Sequence, residues 1–457
     1  MELKRDIYEK LKDWKRKNTG KVLELTGARQ VGKTFILKKF AEENYKRNIY
    51  INMIEESGKA FLKCLEIASA WEPGQERVEK PLHRAFTLYD MTFEDTRDTL
   101  IIIDEIQDSA EVYGKIRNFA RDFACDFIVT GSYLGRTREK EFFLAAGDVN
   151  HMTMTTMTFP EFLDAFGKRE LYESISLFGE SDHALYDELS SYFDSYLKIG
   201  GYPEVVKIYC ETGNVRECLK KIEEITQVFI TESAKYFGNP LENEVFRKIL
   251  NTIAIVLLKE KKGTKDLVTD FSKIIYKEES NKISKKMINS AIGWLYLSHQ
   301  IGYADKSIDC DYLNLIDNCR FYYRDVGLAN YYLTNTGAKP SVIKGILCEN
   351  FVYLNLLERL AAHEIAGENP WFGTYERISG ELDFYCRSLL DYRNYGLEVK
   401  AGNNIGKTAN ALLEARKLDY LYNLKDTYGA REGKKLSVPN YLAGRISFAL
   451  GAAGESE

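Results

Sequence analysis

The octapeptide Gly27-Ala28-Arg29-Gln30-Val31-Gly32-Lys33-Thr34 constrains this chain more than any other stretch, because it satisfies the pattern GxxxxGK[ST] without a mismatch. Val22, Leu23 and Leu25 before it read as a short strand, and Phe35, Ile36 and Phe40 after it recur at helical spacing. A glycine-rich turn between a strand and a helix presents backbone N–H groups to an anion, and the helix N-terminus adds a favourable dipole. In that geometry Gly27, Ala28, Arg29, Gln30, Val31 and Gly32 wrap a phosphate chain, Lys33 neutralises β/γ charge, and Thr34 offers its hydroxyl to Mg2+. The expected ligand is a nucleoside triphosphate.

The run Leu100-Ile101-Ile102-Ile103-Asp104-Glu105 has the form of a buried parallel strand that ends in two acids. Beside a phosphate loop, Asp104 is expected to hold magnesium through water, and Glu105 to orient or deprotonate the attacking water. Further candidate strands cover residues 48–53, 126–130 and 152–157, with helical stretches between most of them. A mainly parallel sheet covered on both faces follows. Leu3, Ile7, Leu11 and Trp14 mark one face of an opening helix that Gly20 closes.

A length of 457 residues exceeds a comfortable single core. Three domains are expected: an α/β P-loop domain over 1–166, a helical region over 167–340, and a second α/β domain over 341–457. Eight scattered cysteines without a CxxC pair indicate free thiols, and no run reaches the ~20 apolar residues of a membrane span. The opening Met1-Glu2-Leu3-Lys4-Arg5 lacks the apolar core of a signal peptide, so the expectation is a cytoplasmic protein with no membrane partner. A net charge of −5 excludes a globally basic coat but permits a local patch. Between Leu257 and Ser290, nine lysines face five acids, which makes either a solvated helical surface or a contact for DNA or RNA. Ser284 is a candidate cap for a helix through Ile288, Ala291, Ile292 and Leu295. With a short hairpin from Ile301 this suits a winged-helix unit.

Beyond residue 340 the pattern predicts a helix over 344–360, then strands over 381–385 and 395–400 joined by a turn at Asp391-Tyr392-Arg393-Asn394. Side-chain alternation puts Glu398 and Lys400 on one face of the second strand. If the strand carrying Asp383 pairs beside it, two carboxylates and an ammonium converge. Such a group can hold one or two divalent cations, magnesium or manganese, that activate water against a phosphodiester. Lys400 would position that water, and Glu349 on the preceding helix is a third candidate metal ligand. The plainer alternative is an edge strand with a solvated ion pair.

The ordered set of these marks resembles a family of prokaryotic ATP-binding proteins that join an AAA-type ATPase to a C-terminal domain of unknown function with an endonuclease-like core. The resemblance rests on residues 26–34, Asp104-Glu105-Ile106-Gln107, Thr130-Gly131-Ser132 and Phe159-Pro160-Glu161-Phe162. It continues through Gly200-Gly201-Tyr202-Pro203-Glu204, Asp325-Val326-Gly327-Leu328, Glu349-Asn350-Phe351-Val352 and Glu381-Leu382-Asp383-Phe384 with Glu398-Val399-Lys400. It implies an AAA/ASCE-type parallel sheet, ATP rather than GTP, and a sensor at Thr130 to Ser132, where Ser132 reads the γ-phosphate. Relatives often carry a basic residue after the glycine before the fifth strand. Here Gly147 is followed by Asp148, which leaves Arg136 and Arg138 as substitute arginine fingers. Asp383, Glu398 and Lys400 match the core of the PD-(D/E)xK nuclease fold, a fold that also serves as an inactive interaction module. Three functions follow as alternatives: an ATP-driven switch that regulates nucleic-acid cleavage, the same ATPase with a C-terminal module that binds nucleic acid or a protein partner, or a nucleotide-holding scaffold. The oligomeric state is not legible.

Overall fold

Short apolar runs in the first third of the chain form five strands, β1 (Val22–Thr26), β2 (Arg47–Asn52), β3 (Thr99–Asp104), β4 (Asp126–Thr130) and β5 (Val149–Thr153). The computed structural model describes residues 1–70, 80–132, 147–237, 240–259, 285–400 and 406–451. They fall into two units: Arg5–Thr155 with Leu297–His299, and Met1–Lys4, Thr156–Tyr296 and Gln300–Glu457. Arg136 and Arg138, Ser284 and most of the lysine-rich run lie outside the described residues.

In the first unit the five strands pair in parallel in the order β2-β3-β4-β1-β5. Every residue of β3 is buried, as a strand covered on both faces requires. Phe61, Phe86, Phe119 and Phe127 fill one side of this sheet, with the rings of Phe119 and Phe127 stacked at 4.6 Å. Burial of each such ring contributes on the order of 2–3 kcal/mol. Because β4 lies between β1 and β3, the residues after Thr130 sit between the phosphate loop and the acids that end β3. Ligands of open parallel sheets bind outside such carboxyl ends.

Two boundaries differ from the sequence expectation. The opening helix Ile7–Lys17 buries Ile7, Leu11 and Trp14, but Asn18 ends it at φ 44°, donating its N–H to the Trp14 carbonyl; asparagine tolerates this left-handed conformation, so Gly20 is not needed. The strand expected at 152–157 is β5, and it stops at Thr153 because its partner β1 stops at Thr26.

In the second unit the helices His183–Ile199, Pro203–Thr212, Val215–Phe237, Pro240–Lys259, Lys285–Leu297 and Val326–Thr334 precede the helix Pro340–Ala361. Its strands are β6 (Ile301–Ile308), β7 (Asp311–Tyr323), β8 (Trp371–Tyr375), β9 (Ile378–Arg387), β10 (Asn394–Val399), β11 (Tyr420–Lys425), β12 (Ala430–Glu432) and β13 (Lys435–Pro439). All eight form one sheet in the order β12-β13-β11-β10-β9-β8-β6-β7. The helix Lys285–Leu297 buries Ile288, Ala291 and Leu295 as expected. The hairpin after it does not stand as a separate wing: β6 pairs in parallel with β8, so the C-terminal sheet crosses the boundary expected at residue 340. Register explains why sequence patterning could not foresee this, since the pairing joins residues 305–308 to 371–374. At the end of the edge strand β7, the Asn350 amide exchanges hydrogen bonds of 2.9 Å with both the N–H and the carbonyl of Tyr323.

Several motifs of the resemblance turn out to be packing devices. Thr158 and Glu161 form a reciprocal capping box that starts the helix Phe159–Asp164. Gly200 and Gly201 meet Asp325 and Gly327: the buried Asp325 carboxylate accepts from the N–H groups of Gly201 (2.8 Å) and Leu328 (2.9 Å). A Cβ on Gly200, at φ +72°, would lie 2.2 Å from Asp325 Oδ1, and one on Gly327 would lie 2.3 Å from the Ile199 carbonyl. Replacing Asp325 with Ala orphans buried donors at about 1–3 kcal/mol each. Denaturant unfolding of Asp325→Ala is therefore expected to show a loss of about 2–5 kcal/mol, and a loss below about 0.5 kcal/mol would contradict this role. Among the described residues no helix is long and apolar enough to cross a membrane.

Candidate functional site

The phosphate loop leaves β1 at Thr26 and returns as the helix Lys33–Asn44. Gly27 sits at φ +142°, where a Cβ would lie 2.1 Å from the Met154 carbonyl oxygen, and Gly32 caps the helix at φ +97°. Lys33 is buried, and its ammonium donates to the carbonyls of Gly27 (2.7 Å) and Ala28 (2.8 Å). Burial lowers its pKa from 10.5 to about 8, against the opposing pull of Glu105 and Asp104. Burying an ammonium without a carboxylate within ion-pair distance is costly, and a polyanion offsets that cost. The loop therefore fits a triphosphate.

Thr34 donates to Asp104 Oδ2 at 2.8 Å, so the two oxygens expected near magnesium already lie side by side. Tyr50 donates to the same oxygen at 2.8 Å, and the Glu105 N–H donates to Oδ1 at 2.8 Å. Glu105 itself stands at φ +51°, a left-handed conformation that costs a non-glycine residue about 1–2 kcal/mol. Its Oε2 accepts from Gln107 Nε2 (2.5 Å), from the Ser132 hydroxyl (3.1 Å) and from the Ser132 N–H (3.3 Å), while Arg29 lies 4.0 Å from Oε1. Ser132 thus bonds the acid at the end of β3, and the Thr130 hydroxyl is spent on the Leu25 carbonyl at 2.8 Å. Asp148 is paired with Arg117 (3.2 Å) and Arg121 (3.0 Å), which accounts for an acid after Gly147. Of the apolar residues after the loop, Phe35 is exposed, whereas Ile36, Leu37 and Phe40 are buried.

In the second unit, antiparallel pairing of β9 and β10 at Leu397 and Phe384 places Asp383 across from Glu398. Lys400 Nζ lies 2.7 Å from Glu398 Oε1 and 3.7 Å from Asp383 Oδ2, and that Asp383 oxygen accepts the Val399 N–H at 2.7 Å. Burial, then mutual repulsion, raises the pKa of Asp383 above the carboxylate range, and burial raises that of Glu398. For Lys400, burial favours the neutral amine, but Asp383 and Glu398 outweigh it and hold the pKa above its ordinary value. Glu398 is 2% exposed, and its Oε2 has no hydrogen-bond partner among the described residues. Gly406 lets the helix Lys407–Glu414 begin against this carboxylate, since a Cβ there would lie 2.2 Å from Glu398 Oε1.

The charge of Glu349 acts on Asp383, Glu398 and Lys400, and its carboxylate is bonded from β7. Its Oε1 accepts from Arg320 Nη1 at 2.8 Å and the Tyr322 hydroxyl at 2.6 Å, and Arg320 also bonds Glu381 at 2.6 Å. Among the described residues no group of three or more His, Cys, Asp and Glu side chains is placed to hold a metal ion. Arg320, invisible in any local motif, bonds Glu349 from β7.

Sequence reasoning also missed Tyr50, Gln107 and Arg5. Gln107 lay within the quoted Asp104-Glu105-Ile106-Gln107, so its spacing was the available signal. Arg5 is buried and donates to the carbonyls of Val31 (2.8 Å) and Thr155 (2.6 Å), with no local pattern to mark it.

Residues 19–163 match the family described as AAA domain. Most of this AAA-domain match lies in the first unit. A protein of Methanocaldococcus jannaschii, described as uncharacterized, is 24% identical over 374 residues, covering 80% of this chain and 71% of its own. Among solved structures, the Walker-type ATPase of Pyrococcus abyssi is similar with a TM-score of 0.46 at 14% identity, covering 72% of this chain and 96% of that one. The ORC2 protein of Aeropyrum pernix is similar with a TM-score of 0.36 at 14% identity, covering 76% of this chain and 94% of that one.

Proposed function

We propose that this chain is a slow, magnesium-dependent ATPase that works as a nucleotide switch, with a metal-dependent nuclease site in its C-terminal sheet as the output. The observation that carries the nucleotide reading is Lys33: a desolvated ammonium, parked on two loop carbonyls, at the start of a helix and facing Asp104 and Glu105. Gly27 to Gly32 would supply backbone donors, Lys33 would neutralise β/γ charge, and Thr34 with Asp104 would hold magnesium. The bound ion would offset charge on the phosphates. Glu105 would align or deprotonate water, with Ser132 and Gln107 setting where its carboxylate rests. ATP over GTP is supported by the family resemblance alone.

At the second site, Asp383 and Glu398 would hold magnesium or manganese, which supplies an activated water, and Lys400 would orient that water or stabilise charge on a phosphodiester. One observation favours a second reading, a non-cleaving module for nucleic acid or protein. Lys400 is ion-paired with both acids and Glu349 is held by Arg320 and Tyr322, so a folded scaffold satisfies these groups without a substrate. Incubation with linear, single-stranded and supercoiled nucleic acids plus magnesium or manganese separates the two. Cleavage that falls at least about a hundredfold in Lys400→Ala and Asp383→Ala supports the nuclease reading. Equal products from wild type and both variants would remove it.

A further inference from the structure

Within the phosphate loop the peptide joining Val31 to Gly32 has its carbonyl held by a side chain from outside the motif. Arg5 Nη1 donates to the Val31 carbonyl at 2.8 Å, across 26 residues of sequence. In a trans peptide the carbonyl and the following N–H point in opposite directions. Anchoring the Val31 oxygen on Arg5 therefore turns the Gly32 N–H the other way. We infer that Arg5 is a positioning residue of the nucleotide site, which presets the Gly32 N–H as a phosphate donor; the inference rests on the nucleotide reading above.

Three further observations bear on it. Arginine stays charged wherever it is buried, so its bond to Val31 is charge-assisted and polarises the peptide, which makes the attached N–H a stronger donor. Val31 is fully buried and Gly32 stands at φ +97°, so this stretch of the loop turns sharply inside the core. Finally, Nη2 of the same guanidinium donates to the Thr155 carbonyl at 2.6 Å, next to Met154, whose backbone packs against Gly27. One side chain thus braces the far end of the loop and the segment that walls its near end.

The role is tested on the full chain with magnesium-ATP by comparing wild type, Arg5→Gln, Arg5→Lys and Arg5→Ala for KM, kcat, ATP affinity and Tm without nucleotide. Gln donates to one carbonyl without charge, so Arg5→Gln is expected to raise KM and Kd for ATP about tenfold, with a smaller fall in kcat. Arg5→Lys, which restores the charge, is expected to recover part of that loss. A residue that only stabilised the fold would lower Tm and leave Kd and KM of the folded fraction at wild-type values. That result overturns the inference, and if Arg5→Gln and Arg5→Ala do not fold, Arg5→Lys is read by the same criterion, with about threefold expected. A wild-type chain that binds no ATP sinks the nucleotide reading and this inference with it; wild-type binding with unchanged Kd in the folded variants sinks this inference alone.

Discussion

Lys33→Ala is expected to abolish the stabilisation that magnesium-ATP confers on this chain. A ligand that binds only the folded state adds RT ln(1 + [L]/Kd), which is about 2.7 kcal/mol at one hundred times Kd. Without the ammonium, the β- and γ-phosphates lose the positive charge that the loop brings to them, and the shift in Tm at the same ATP concentration should fall to near zero. The variant without nucleotide should be no less stable than wild type, because a buried cation is removed. An undiminished ATP shift in Lys33→Ala would place the nucleotide elsewhere. The same group sets a pH dependence. Its pKa in the free protein is lowered from 10.5 to about 8 by burial, and a bound polyanion raises it again. Binding therefore takes up a proton where the free amine is neutral, so ATP affinity should be flat below about pH 8 and fall by up to about tenfold per pH unit above it. Calorimetric titration between pH 7 and 9.5 reads this directly; an affinity that rises with pH would contradict the protonation scheme.

The second large effect is expected at Glu105. Glu105→Gln keeps the shape and hydrogen-bonding reach of the side chain but removes its basicity, so ATP affinity should stay within about threefold while kcat falls by about 10²–10³. Three donors, from Gln107 and Ser132, converge on Glu105 Oε2 and fix where its carboxylate rests relative to an attacking water. Gln107→Leu or Ser132→Ala should then alter kcat while Kd for ATP moves little. Full turnover in Glu105→Gln would move the base to another residue.

What the sequence made legible was local. Residues 27–34 and 100–105 carry their geometry in adjacent positions, since glycines, a strand and a helix start must follow in that order for the loop to exist. Asp383, Glu398 and Lys400 were also reachable, because two strands joined by a short turn can only pair beside each other. The parts that stayed hidden depend on long-range register. The hairpin from Ile301 pairs with β8 some 66 residues later, at Asp305 and Trp371, and no periodicity announces such a partner. Arg320 reached Glu349 from a neighbouring element, and Arg5 reached Val31 from the segment before the opening helix. Long charged side chains choose partners in space, so patterning alone cannot distinguish them from solvated ones. Ser132 shows the intermediate case: its place at the end of β4 was readable, but its bond to Glu105 required the strand order that puts β4 between β1 and β3.

The most direct measurement is a crystal structure of the wild-type chain with magnesium and a non-hydrolysable ATP analogue. The account predicts that Lys33 Nζ leaves the carbonyls of Gly27 and Ala28 for the β- and γ-phosphates, with the metal between Thr34 and Asp104 and the Gly32 N–H directed at a phosphate oxygen. A loop that keeps Lys33 on its own carbonyls under saturating analogue, with the triphosphate absent or bound elsewhere, would contradict it.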